Sequence, residues 1–137
     1  MKILVVDDSA VQRKMIINII RKAGFEHEAL EAENGKVAIG VVGQNYKDIC
    51  LILCDWNMPV MTGIDFIQGM SKVPAVASIP IIMVTTEGTE DKIEQAYSTH
   101  PNLQGYVVKP FTPEQLKLKI APFLEKNPVQ GQPAPPA

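Results

Sequence analysis

Thiols, imidazoles and indole rings are scarce in this chain: two cysteines, two histidines and one tryptophan. Each shortage excludes something. Cys50 and Cys54 lie in a run that reads as a strand, where a rise of about 3.3 Å per residue puts them on one face and about 13 Å apart, beyond disulfide reach. A metal or redox site would need closer thiols or neighbouring histidines, so both are expected to be reduced core residues. His27 and His100 belong to no nucleophile pattern and are expected at the surface. Trp56 is expected to be partly exposed loop packing. Positive charge is not in excess: 13 basic residues face 15 acidic ones, with a net charge of −2 and a pI near 5.7. That excludes the basic stripe of a nucleic-acid binder. No apolar run approaches the roughly 18 residues of a membrane span, and the short one after Lys2 cannot serve as a secretory signal. The expectation is a cytoplasmic protein with no nucleic-acid partner and no membrane insertion.

What is present is an ordinary globular composition, 46% hydrophobic and 20% charged over 137 residues. That suits one domain with a packed core. Short apolar runs alternate with helical patterns. The predicted strands are Lys2–Val6, Glu28–Ala32, Ile49–Cys54, Pro80–Val84 and Gly105–Val108. The first, third and fourth are nearly continuous Val, Ile and Leu, as strands buried on both faces of a parallel sheet are. Ser9, Asn34, Thr62, Thr89 and Thr112 stand where helix N-caps belong. The first predicted helix carries an apolar stripe through Val11, Met15, Ile16, Ile19 and Ile20, and ends at Gly24. Thr112-Pro113-Glu114-Gln115 has the capping-box spacing with proline in the first turn. Pro122 predicts a kink or an early end to that last helix. Five β-α units in strict alternation give an α/β fold, an open, doubly wound (βα)5 parallel sheet with helices on both faces. Residues 1–126 are expected to form the domain, and residues 127–137, proline-rich and uncharged, a disordered tail.

In such sheets the site lies at the carboxyl ends of the strands. Asp7 and Asp8 follow the first strand, Asp55 the third, Thr85 and Thr86 the fourth, and Lys109 the fifth. Two carboxylates about 4 Å apart repel by roughly 4 kcal/mol at an effective dielectric near 20, so three acids need compensation. Lys109 supplies one positive charge and a divalent ion would supply two. The all-oxygen donor set points to Mg2+ rather than Zn2+. A carboxylate can act as a nucleophile towards phosphorus, forming an aspartyl phosphate. Lysine, cation and a threonine hydroxyl then match the oxygens of a phosphoryl group.

The segments LVVDDS (4–9), LCDWNMPVMTG (53–63), MVTTEG (83–88) and GYVVKPF (105–111), in this order, resemble the CheY-like receiver domain of bacterial response regulators, over residues 1 to about 125. The resemblance implies a flavodoxin-like sheet of order 2-1-3-4-5 and makes Asp55 the phosphoacceptor. It also implies Mg2+ held by Asp7, Asp8, Asp55 and the backbone carbonyl of Asn57. Thr85 would bind a phosphoryl oxygen, Lys109 would pair with the phosphate, and Tyr106 would act with Thr85 as a switch. A cis peptide at Lys109–Pro110 is implied as well. The expected protein is a monomeric switch in a two-component phosphorelay, not an enzyme beyond its own phosphorylation and dephosphorylation. A sensor histidine kinase would phosphorylate it, and a protein target would bind the face of residues 89–125, with chemotaxis the nearest model. A phosphate-shuttling or scaffold receiver in another pathway is the alternative.

The chain departs from the family pattern in two places. Thr62 stands where the family usually has Asp, and STHPNLQG (98–105) is longer than usual and lacks the common Gly-Ala turn. Asn57 and Glu87 match the chemotaxis regulator and hint at quick dephosphorylation. A flavodoxin would need a Ser/Thr/Gly-rich loop after the first strand. A haloacid-dehalogenase-type phosphatase would need Asp-x-Asp there. DDSAVQRK supplies neither.

Overall fold

The computed structural model describes residues 1–127. All of the proposed tail except Asn127 therefore lies outside the described residues. Five parallel strands, β1 (Lys2–Val6), β2 (Glu28–Ala32), β3 (Ile49–Cys54), β4 (Ile81–Thr85) and β5 (Gly105–Val108), form one sheet of order β2-β1-β3-β4-β5. Between and after them run α1 (Ala10–Lys22), α2 (Gly35–Asn45), α3 (Gly63–Ser71), the single turn α4 (Pro74–Ala77), α5 (Glu90–Thr99) and α6 (Pro113–Glu125).

Strand alternation sorts the core into two layers. Leu4, Val6, Ile52, Cys54, Ile81 and Met83 pack against α2, α3 and α5 through Ala38, Val42, Phe66, Ile67 and Ala96. Ile3, Val5, Leu51, Leu53, Ile82 and Val84 pack against α1 and α6 through Ile16, Ile20, Leu116, Ile120 and Leu124. The central strands therefore read as continuous apolar runs because both of their faces are covered.

All five expected caps are made. The side chains of Ser9, Asn34, Thr62, Thr89 and Thr112 each accept the backbone N–H three residues on. The capping box at Thr112 is reciprocal, with Gln115 reaching back to the Thr112 N–H. Gly24 follows α1 with φ +96°, the left-handed step that lets Phe25 N–H return to the Ile20 carbonyl.

Several expectations needed correction. α4 carries no side-chain cap and was not anticipated. β4 is Ile81–Thr85, one residue later than expected, so Thr85 belongs to the strand. Cys50 and Cys54 are free and buried, but they do not share a face. The β1–β3 register passes from Lys2↔Ile49 to Ile3↔Leu51, so Cys50 is a bulge residue and the alternation slips by one. Val11 and Met15, expected to face inward, are 76% and 38% exposed. Pro122 does not end α6, which continues to Glu125. The carbonyl deprived of its partner is that of Leu118, whose residue is 75% exposed, so water can replace the missing bond.

The histidines reverse their expected placement: His27 and His100 are each 1% exposed. His27 packs edge-on to the Phe25 ring at 6.0 Å and its Nε2 meets the Asn127 carbonyl, which ties the approach to β2 to the end of α6. His100 caps α5 in an extended conformation, its N–H on the Ala96 carbonyl and its own carbonyl on Leu103 N–H. Neither ring nitrogen of His100 has a partner among the described residues. Burial lowers the pKa of both imidazoles from 6.5.

Both rings are thus held neutral when folded and gain protons more readily once unfolded. As pH falls through about 6.5, the unfolded chain binds more protons and stability drops. The urea midpoint is expected to be flat from pH 8 to 7 and to decline below about pH 6.5. His100→Met should make that decline shallower; an equally steep decline in the variant would place its source elsewhere.

Candidate functional site

The carboxyl ends of β1, β3, β4 and β5 meet at one edge of the sheet, and the three acids and Lys109 follow the first, second and last of these while Thr85 ends β4. One carboxylate oxygen from each of Asp7, Asp8 and Asp55 lies within 4.8 Å of the others. Asp7 is 2% exposed and Asp55 8%, while Asp8 faces solvent. The Lys109 ammonium lies between the two buried acids, 2.7 Å from Asp7 Oδ2 and 3.3 Å from Asp55 Oδ2. Burial by itself would lower the Lys109 pKa, but the Asp7 hydrogen bond and the Asp55 charge outweigh it and hold the pKa above the ordinary lysine value. The ammonium is therefore fully charged at neutral pH.

Each buried acid uses its second oxygen to fix its own loop. Asp7 Oδ1 accepts Ser9 N–H at 2.8 Å, and Asp55 Oδ1 accepts Trp56 N–H at 2.6 Å. The turn after Asp55 is tight. Val60 has φ +68°, unusual for a β-branched residue, and Met61 then offers its carbonyl to Gly35 N–H at 3.0 Å. Gly63 opens α3 against the end of β3. A Cβ there would stand 1.9 Å from the Asp55 carbonyl oxygen. Trp56 is not the partly exposed residue expected; it is 6% exposed, part of the core, with Lys92 Nζ 5.0 Å from its ring centroid.

The remaining expected residues converge on Glu87. Its N–H donates to Thr85 Oγ1, its carboxylate accepts Asn57 Nδ2 at 3.0 Å, and its carbonyl accepts the Tyr106 hydroxyl. Thr85 is fully buried and Thr86 exposed, which separates two residues the sequence left confusable. The Tyr106 pKa is pushed up to about 12, by burial first and then by the charges of Glu87 and Asp55, so its hydroxyl stays a donor. Lys109–Pro110 is cis, as the resemblance implied.

Sequence reasoning missed Arg13 and Glu31. Arg13 Nη1 donates to the Asp7 carbonyl at 2.6 Å, and its Nε sits 2.9 Å from Glu31 Oε1. A signal existed: a cation near a helix N-terminus opposes the dipole unless it is paired. A groove of about 740 Å3 lies between α1 and α6, lined by Val11, Met15, Ile19 and Phe111 among others. It takes in none of Asp7, Asp8 and Asp55. The acid cluster is thus separate from that groove, at the carboxyl edge of the sheet.

Fold and site together define a doubly wound α/β protein with an acid triad and a lysine at the carboxyl edge of its sheet. The response regulator receiver domain profile matches residues 3–121, and the chain belongs to that family. It is similar to the chemotaxis protein CheY1 of Helicobacter pylori, 41% identical over 127 residues covering 93% of this chain and 99% of that one. The chemotaxis protein CheY of Pseudomonas aeruginosa is 40% identical over 126 residues, 92% of this chain and 98% of that one. Among solved structures, Vibrio cholerae CheY4 superposes with a TM-score of 0.77 at 32% identity, covering 90% of this chain and 98% of that one. The CheY of Borrelia burgdorferi, solved with CheX, BeF3 and Mg2+, gives 0.80 at 22% identity over 90% of each chain, a likeness of fold. The chain is a CheY-type response regulator of two-component signalling. No helix among the described residues is long and apolar enough to cross a membrane.

Gly63→Ala should cost about 3 kcal/mol or more, because the clash is with backbone and either β3 or α3 must move. Chemical denaturation would measure it, and a loss under about 1 kcal/mol would show that the approach at Asp55 is not tight.

Proposed function

We propose that Asp55 is the phosphoacceptor of a switch worked by Mg2+, with Lys109 and Thr85 as its phosphate-binding partners. The observation that carries this reading is the charge balance of the cluster. Three carboxylates and one ammonium leave two negative charges within a few ångströms, the deficit one divalent cation cancels. The donor set is all oxygen, which suits Mg2+. Asp7, Asp8, Asp55 and the Asn57 carbonyl would hold the ion; bound, it would supply positive charge to the phosphoryl oxygens.

The residues divide the remaining work. An Asp55 carboxylate oxygen attacks phosphorus of a sensor kinase's phosphohistidine. The P–N bond breaks, the imidazole leaves with its electron pair and takes a proton, and an acyl phosphate remains. Trp56 N–H and Lys109 hold the Asp55 carboxylate in one orientation for that attack. Lys109 then exchanges part of its carboxylate pairing for a phosphoryl oxygen, and the Thr85 hydroxyl offers a hydrogen bond to another. Thr85 and Tyr106 both bond to Glu87, so a shift of Thr85 is felt at β5. That supports a protein-binding output face along α5, β5 and α6, residues 89–125. Asn57 and Glu87, bonded to each other, match the chemotaxis regulator at both positions, which supports quick dephosphorylation of the acyl phosphate.

On this reading the receiver unit spans residues 1–126, acts as a monomer and catalyses only its own phosphorylation and dephosphorylation. The chemotaxis proteins of H. pylori and P. aeruginosa support a role in motility control, through a sensor kinase and a protein target.

Acetyl phosphate with Mg2+ should add one phosphoryl group to the protein and none at this site in Asp55→Ala, as intact mass would read. Equal labelling of both would sink the assignment. Asp8 is the exposed acid and has no hydrogen-bond partner among the described residues. Asp8→Asn should therefore stabilise the chain in chelator by about 0.5–1 kcal/mol while weakening the Mg2+-dependent change in Trp56 fluorescence. A lower melting temperature in chelator would contradict the repulsion argument.

A further inference from the structure

We propose that Arg13 is a positioning residue for the acid cluster, braced by Glu31, and that it sets where Asp8 stands. This rests on the reading of the cluster as a divalent-cation and phosphoryl site.

The backbone of Asp7 is held from two directions. Its N–H donates to the Ala32 carbonyl at 3.0 Å, continuing the β1–β2 pairing. Its carbonyl accepts Arg13 Nη1 at 2.6 Å. That carbonyl lies in the planar peptide unit joining Asp7 to Asp8, so fixing its direction fixes the plane that carries Asp8. Asp7 has a side chain anchored at both oxygens, on Ser9 N–H and Lys109. Asp8, exposed at the rim of the cluster, has no such anchors among the described residues. Its carboxylate inherits its position from the backbone, and the backbone from Arg13.

Glu31 makes Arg13 a fixed reference rather than a mobile charge. Its Oε1 receives Arg13 Nε at 2.9 Å, while Oε2 receives Lys14 Nζ at 2.8 Å. The Lys14 hydrogen bond, with Arg13 adding to it, holds the Glu31 pKa below its ordinary value against the effect of burial. The Arg13 side chain is 15% exposed and that of Glu31 27%, so solvent screens this pair less than a surface ion pair. The guanidinium is rigid and planar, with donors diverging to β2 and to the loop after β1. A lysine would offer its donors from a single nitrogen on a flexible stem, and so lacks the rigid, diverging pair that holds both partners at a fixed separation. Bound to Glu31, Arg13 is also held off the three carboxylates, where it would compete with a cation.

The test is a Mg2+ titration read by Trp56 fluorescence on the wild type, Arg13→Ala, Arg13→Lys, Glu31→Ala and the Arg13→Ala/Glu31→Ala double variant. Amide spectra of the metal-free proteins would accompany it. The dissociation constant is expected to rise about tenfold in Arg13→Ala and in Glu31→Ala, as for outer partners of metal ligands. The double variant should be no worse than either single one, because the two residues act as one brace. Arg13→Lys should fail to restore affinity. The Asp8 and Ser9 amide resonances should move in each variant without metal, a change that mere loss of stability would not confine to this loop. Unchanged affinity in Arg13→Ala or Arg13→Lys, or additive losses in the double variant, would overturn the proposal. If Arg13→Ala does not fold, Arg13→Lys decides. A wild type with no saturable Mg2+ response overturns the site reading and the brace together; a responsive wild type matched by Arg13→Lys overturns the brace alone.

Discussion

One ammonium group organises this molecule's edge. Lys109 reaches from the end of β5 to acids at the ends of β1 and β3. A parallel sheet forces all strands to end on one side, and this sequence places acids on two of those ends and beside them a third. Without Lys109 this side of the sheet would carry three acids and no compensating charge. The ammonium balances only one of three negative charges. The fold thus retains an electrostatic imbalance at its carboxyl edge, and offsets it with a core whose strands are covered on both faces.

The same edge is tied to the rest of the fold by short, ordinary bonds. Asp55 holds Trp56 N–H, and Trp56 is buried under the reach of Lys92 from α5. Glu87 bonds Asn57 on one side and Tyr106 on the other, and donates its N–H to Thr85. A change in charge at Asp55 therefore meets two connections to the α5–β5 side, one through an aromatic ring and one through a hydrogen-bonded loop. A two-state element biased at one end is what a switch requires, and the Thr85–Glu87–Tyr106 chain has the connectivity for it.

Much of this was legible in the sequence because period and position carry it. Continuous Val/Ile/Leu runs gave the covered strands, five polar residues gave the caps, and residues just past strand ends gave the acid cluster and its lysine. What escaped depends on details that periodicity does not encode. The bulge at Cys50 shifts the alternation by one residue, and no residue type there announces it. His27 and His100 are buried, and histidine is a residue type of intermediate burial, so composition alone does not place them. Val11 and Met15 satisfy the helical period but border an open groove between α1 and α6. The Arg13–Glu31 pair joins residues 18 apart in sequence, in elements brought together only by the β1–β2 pairing.

The three acids are unequal, and the inequality follows from how each is anchored. Asp7 and Asp55 each give one oxygen to a backbone N–H and face the other to Lys109, so their geometry is set before any ligand arrives. Asp8 faces solvent, and its carboxylate meets its neighbours only by position. Preorganised ligands cost no reorganisation when charge arrives, whereas a solvent-facing one must be placed by its backbone. The two buried acids are thus fixed by side-chain contacts, and the exposed one by its backbone alone. A substitution at Asp7 or Asp55 disturbs loops, strands and Lys109 together. At Asp8 the same loss of charge leaves those anchors intact.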